Sequence, residues 1–130
     1  MKTPLDRPAA ARAGPELRVL SLWEDFLAWF LHHTARWPKS VRFTLTQRLQ
    51  NLSLEVLEDL VEARYQRRGR LARLTSANLR LEQIRYLCRI ARTLRVQDGK
   101  GFETAMRHVD EAGRMLYGWR RALGRAGEGH

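Results

Sequence analysis

An all-α fold, an antiparallel up-down four-helix bundle, is what this 130-residue sequence predicts. Three observations carry the prediction. Four segments repeat apolar residues at the three- and four-residue spacing of an amphipathic helix. The links between them are short and collect the chain's helix breakers: Trp37-Pro38-Lys39-Ser40, Gln66 to Gly69, and Gln97 to Gly101. No segment alternates apolar and polar residues as a half-buried strand does. Helices of this kind, joined by short links, cover their apolar stripes by packing on one another.

Length and composition bound the rest. One domain with room for a real core is expected at this size. Apolar residues make up 44% and charged residues 29%, which places the chain among soluble proteins. The longest apolar-rich stretch, Val19 to Leu31, carries Glu24 and Asp25 and is too short to span a bilayer. The N-terminus lacks the hydrophobic run of a secretory signal. The single cysteine, Cys88, has no partner for an internal disulfide. A cytoplasmic location with no membrane contact is therefore expected.

Residues 1–15 contain Pro4, Pro8, Gly14, Pro15 and an alanine run, and read as a flexible arm. The bundle is expected over 16–123, with 124–130 as a frayed tail. The first helix spans Glu16 to Arg36. Ser21, Glu24, Asp25, Ala28 and His32 form a narrow polar strip, and nearly everything else is apolar. Such a helix is expected to be buried on more than one side. That points to subunit contacts through Leu22, Phe26 and Trp29, and so to a homo-oligomer.

Pro38 disfavours helix at Trp37, and Ser40 suits the N-cap of the second helix, which runs to about Gln66. Its stripe is Leu45, Leu49, Leu52, Val56, Leu60 and Ala63. Glu55, Glu58, Asp59 and Glu62 make its middle acidic. A carboxylate metal site in a bundle wants a Glu with a His three residues on, and no Glu here has one. The acids read as a solvated face that pairs with nearby arginines.

The segment from Gly69 to Val96 holds seven arginines against one acid, Glu82: a net +6 of the chain's +10. A start near Arg70 and a start at a Thr75 or Ser76 cap both fit. At about 100° per residue, Leu81, Ile84, Leu87, Cys88, Ala91 and Leu94 share one side. Asn78, Glu82, Arg85, Arg89 and Arg92 share another. Arginine forks match phosphate geometry, so a concentrated guanidinium row is a nucleic-acid signature. The candidate binding set is Arg85, Arg89 and Arg92, with Arg70, Arg73, Arg80 and Arg95 around them. Arg80 projects among the leucines, either paired with an acid of the second helix or placed at an oligomer seam. Leu79, Tyr86 and Ile90 form a second apolar strip, also assigned to the seam. Few exposed aromatics are expected beside the arginines, which favours backbone contact over base readout.

Asp98 suits the N-cap of the fourth helix, whose buried side reads Phe102, Ala105, Met106, Val109, Ala112, Gly113, Leu116, Trp119 and Leu123. Lys100, Arg107, Arg114 and Arg121 recur every seven residues and drift only about 20° per step, making a secondary basic face. Glu103, Asp110 and Glu111 lie beside it, so a salt-bridged surface and nucleic-acid contact both fit. Gly113 is expected to permit close approach of a neighbour. His32 and His33 point about 100° apart, and His108 has no nucleophile or ligand spacing beside it. No enzyme, cofactor or metal site is expected.

Three segments, WPKSVRFTLTQRLQNLSLEVLEDLVEARY, ANLRLEQIRYLCRIARTLR and DEAGRMLYGWRRAL, resemble the accessory variability determinant (Avd) proteins of diversity-generating retroelements. These belong to a wider group of small four-helix proteins that includes the products of intervening sequences in bacterial large-subunit ribosomal RNA genes. The resemblance runs from about Trp23 to Leu123. Its most distinctive piece is Gly113-Arg114-Met115-Leu116 followed by Gly118-Trp119. It implies a homopentameric ring with a positive surface that binds RNA and DNA. It also implies association with a reverse transcriptase, whose template RNA is copied with errors into cDNA. On this resemblance the basic positions of helix three correspond to Arg85, Arg89 and Arg92. The acid-rich second helix and Glu82 depart from a uniformly cationic surface. The alternative is a structural, protein-interaction bundle of the intervening-sequence type.

Overall fold

A computed structural model describes residues 14–126 as four α-helices, with no strand among the described residues. The helices are α1 (Pro15–Ala35), α2 (Gln47–Tyr65), α3 (Arg70–Thr93) and α4 (Gly99–Ala126). The arm expected over 1–15 and the tail expected over 124–130 fall largely outside the described residues.

α1 starts with Pro15 in its first turn, where a missing N–H costs nothing, and Glu16 beside the positive helix end. It closes where the N–H groups of Arg36 and Trp37 donate to the carbonyls of His33 and Thr34. The start of the second helical segment differs from expectation. Ser40 lies inside a 3-10 turn (Lys39–Val41) and makes no side-chain cap. A π-helical turn (Arg42–Thr46) follows, and α2 begins only at Gln47. The tight turn satisfies the Val41 N–H through the Pro38 carbonyl. The wider one then brings Leu45 and Thr46 onto the core.

Between α2 and α3 the chain reverses at Gly69, whose φ of 74° lies in the left-handed region. α3 therefore starts at Arg70, and Thr75 and Ser76 are interior residues. The Thr75 hydroxyl donates back to the Leu71 carbonyl at 2.9 Å. At the far end of α3, the Val96 N–H reaches the Ala91 carbonyl at 3.0 Å and the Arg95 N–H reaches Arg92 at 3.1 Å. This is a Schellman cap with Arg95 as its left-handed residue (φ 62°). Leu94, expected on the inward side, is exposed because the helix has already ended at Thr93. Asp98 caps α4 as expected, its Oδ1 accepting the Gly101 N–H at 2.6 Å.

α1 and α3 each pack against both α2 and α4. Glu16 meets Arg64, the Trp23 indole N–H donates to the Ser53 carbonyl, and Gln50 donates to Thr34. Arg73 meets Glu62 and Arg80 meets Glu55. Arg85 meets Asp110, and Phe26 lies beside His108. The core runs through Trp23, Phe26, Phe30, Leu49, Leu60, Leu74, Leu81, Ile84 and Leu116, all under 2% exposed. Each such side chain contributes roughly 1.5–3 kcal/mol on burial.

One reading of α1 changes. Leu22 and Phe26, assigned from sequence to a subunit seam, are buried inside the monomer. Trp29 is half-buried, packed against that core and stacked on His33 with ring centroids 4.6 Å apart. α2 and α4 flank α1 from two directions, so its broad apolar circumference is covered within one chain. Among the described residues no helix is long and apolar enough to cross a membrane.

Candidate nucleic-acid interface

The arginines of α3 have different fates, set by what faces them. Arg70 turns back onto α2, its Nε donating to the Ala63 carbonyl at 2.5 Å and its Nη2 to the Arg64 carbonyl at 3.3 Å. Arg73 lies 3.2 Å from Glu62 and donates to Gln66. Arg80 is held by Glu55 and Asp59, each at 2.8 Å, and by the Ser76 hydroxyl. Those carboxylates raise the guanidinium pKa, chiefly through the Glu55 hydrogen bond. Partial burial, the largest effect on Asp59, raises its carboxyl pKa in turn. The two sequence alternatives for Arg80 thus resolve toward pairing with α2. The acidic middle of α2 is the counterpart of α3, and Glu55, Asp59 and Glu62 are occupied there.

Arg85, placed by sequence at the centre of the binding row, is only 18% exposed in its side chain and is shared by two acids. Its Nε donates to Asp110 at 3.0 Å, and its Nη1 pairs with Glu82. The guanidinium lies over Gly113, where a Cβ would stand 3.2 Å from Nη2. Gly113 thus makes room for this side chain. Arg89 lies over the Tyr86 ring at 5.1 Å, and Arg92 and Arg95 are exposed.

The packing gathers one group of free cations. The ends of α1 and α3 and the starts of α2 and α4 meet at one end of the molecule. Arg36, Lys39, Arg42, Arg92, Arg95 and Lys100 are all exposed there. Among the described residues none of these six has an ion pair or side-chain hydrogen bond. The nearby acid Asp98 is committed to capping α4. Phe43, 79% exposed, adds an aromatic ring. At the opposite end Arg64, Arg70 and Arg73 are engaged by Glu16, α2 carbonyls and Glu62, while Arg18, Arg68, Arg121 and Arg125 are exposed without an ion pair among the described residues.

The secondary face on α4 is present as a row: Lys100, Arg107, Arg114 and Arg121 are all exposed. Arg114 pairs with Glu111, so the row is partly neutralised. Tyr117 stands between Arg114 and Arg121 and is 63% exposed. Exposed aromatics therefore do accompany the cations, contrary to the sequence reading. Sequence reasoning missed Arg36, Lys39, Arg42, Phe43 and Tyr117. The first four sit on connections whose meeting point no local pattern reveals. Tyr117 was findable, since it lies inside the seven-residue basic series.

The remaining reactive side chains are structural. His33 Nε2–H donates to Gln97 Oε1 at 3.1 Å, and its ring is bracketed by Trp29 and Trp37. His108 Nδ1–H donates to the Thr104 carbonyl. Burial pushes the Cys88 thiol up to about 12, which leaves it protonated and unreactive. Among the described residues no group of three or more histidines, cysteines or carboxylates is placed to hold a metal ion.

A family model described as bAvd-like matches residues 18–123. No curated protein and no solved structure matches the chain.

Proposed function

The chain belongs to the bAvd-like family, and on that premise we propose that it is a non-catalytic accessory protein of a diversity-generating retroelement. In this reading an antiparallel up-down bundle assembles with copies of itself into a homopentameric ring. The ring binds template RNA, and nucleic acid more generally, and associates with the reverse transcriptase during mutagenic cDNA synthesis. The protein works in the cytoplasm and contributes position and charge rather than bond chemistry.

The observation that supports RNA binding is the group of six unneutralised cations at one end of the molecule. A polyanion that meets them releases its condensed counterions, and repetition of the group around a ring multiplies the contact. Arg89, Arg92 and Arg95 carry the candidate α3 row into this group. Arg70, Arg73, Arg80 and Arg85 serve the bundle's internal pairing. Lys100 links the end group to the α4 face.

The test is a mobility shift with single-stranded RNA across a salt series. Arg42→Glu, Arg92→Glu and Arg95→Glu together should reduce the slope of log affinity against log salt by about 2, if each residue meets one phosphate. Helicity and assembly size should stay unchanged. Arg85→Glu should instead lower the melting temperature, since it would face Glu82 and Asp110. Full RNA affinity in the folded triple variant would place the interface elsewhere. No RNA affinity in the unmutated protein, even in dilute buffer, would favour the protein-interaction bundle.

A further inference from the structure

The geometry points to the groove between α3 and α4 as a seat for one unpaired nucleobase, with Tyr117 as its stacking platform. This rests on the RNA-binding reading above and adds a ligand class to it: single-stranded RNA in preference to duplex.

The groove is open and measures about 590 Å³, within the range of small-molecule sites. Its lining includes Gly113, where α4 presents no side chain to the groove. The Arg85 guanidinium lies there, fixed by Glu82 and Asp110, so this part of the lining is preorganised. The Arg85–Asp110 pairing sets the register of the two helices, and that register brings Asn78 level with Tyr117. Asn78 offers one amide donor pair and one acceptor to a base edge. Tyr117 offers an exposed ring, and exposure of a ring beside a polar lining is what stacking of a base requires.

Charge separates this groove from the cationic end. Two acids and two arginines line it and cancel: Glu82 and Asp110 against Arg85 and Arg114. A neutral interior disfavours a phosphate and accepts a base. Arg121 stands one helical turn from Tyr117 on the same face, exposed and without an ion pair among the described residues. It is placed to take the phosphate of a base seated below. A duplex keeps its bases stacked and cannot fill such a groove, whereas a single strand can turn one base outward.

The experiment compares Tyr117→Ala with the unmutated protein on an unpaired oligoribonucleotide and on a blunt duplex of the same length. Tyr117→Ala should weaken single-strand binding on the order of tenfold. Duplex binding and the salt slope should not move. Tyr117→Trp, which keeps a ring, should bind the single strand as the unmutated protein does. A strand carrying 2-aminopurine should show fluorescence quenching on the unmutated protein that Tyr117→Ala abolishes. Unchanged single-strand affinity in a folded Tyr117→Ala protein overturns the proposal and leaves the cationic end untouched. Equal losses on strand and duplex also overturn it. Absence of RNA binding by the unmutated protein would instead sink the RNA-binding reading itself.

Discussion

At the scale of single residues, Arg95 shows most directly how backbone and charge compete. Left-handed backbone at a residue with a Cβ costs roughly 1–2 kcal/mol, and the Schellman bonds at the end of α3 hold Arg95 there at φ 62°. Glycine fits the same cap without that cost, although it is more flexible when unfolded. Arg95→Gly should therefore raise the unfolding free energy by up to about 1 kcal/mol in urea titration, and weaken RNA binding. A variant that gains stability with RNA affinity unchanged would show that the guanidinium is not a contact. The same scale explains a misreading. Arg85 carries the charge of a ligand contact in the sequence, but Asp110, 25 residues away, claims it.

At the scale of elements, the helices were legible from apolar spacing, and their ends less so. Asp98 was readable as a cap because its partner, the Gly101 N–H, lies three residues on. Ser40 was not, because the neighbouring 3-10 and π turns answer to the burial of Leu45 and Thr46. The glycines of α4 divide in the same way. A Cβ at Gly101 would stand 2.5 Å from His33 Cε1 of α1, while at Gly118 it would meet nothing within 4 Å. Gly101→Ala should destabilise by about 1–3 kcal/mol through forced separation of α1 and α4. Gly118→Ala should stabilise by about 0.5–1 kcal/mol, because alanine orders more readily in a helix. Thermal and urea melts of the two variants check both signs.

At the scale of the whole molecule, burial decides which apolar residues remain for other subunits. Leu22 and Phe26 are consumed by the core, whereas Leu79, Tyr86 and Ile90 stay exposed along α3. For the proposed ring, Leu79→Glu with Tyr86→Glu should lower the assembled mass in light scattering while leaving helicity intact. Leu22→Glu should abolish helicity, because it places a carboxylate inside the monomer. A fully assembled Leu79→Glu, Tyr86→Glu protein would remove the α3 strip from the seam. Charge follows the same logic. The waist of the bundle neutralises part of itself through Arg80, Arg85 and their acids, and six unpaired cations meet where α1 and α3 end.

The sequence by itself determined the four helices, the inward stripes, the family resemblance and the excess of arginine. Those properties depend on residue type and on spacing within about one helical turn, which a linear chain displays. Only the tertiary structure decided which guanidinium groups stay available to a partner. An arginine's availability depends on the carboxylate facing it from another helix, and packing sets that opposition. Packing likewise placed Arg36, Arg42 and Arg95 at one end and opened the groove beside Tyr117, since each of these features joins segments far apart in the chain.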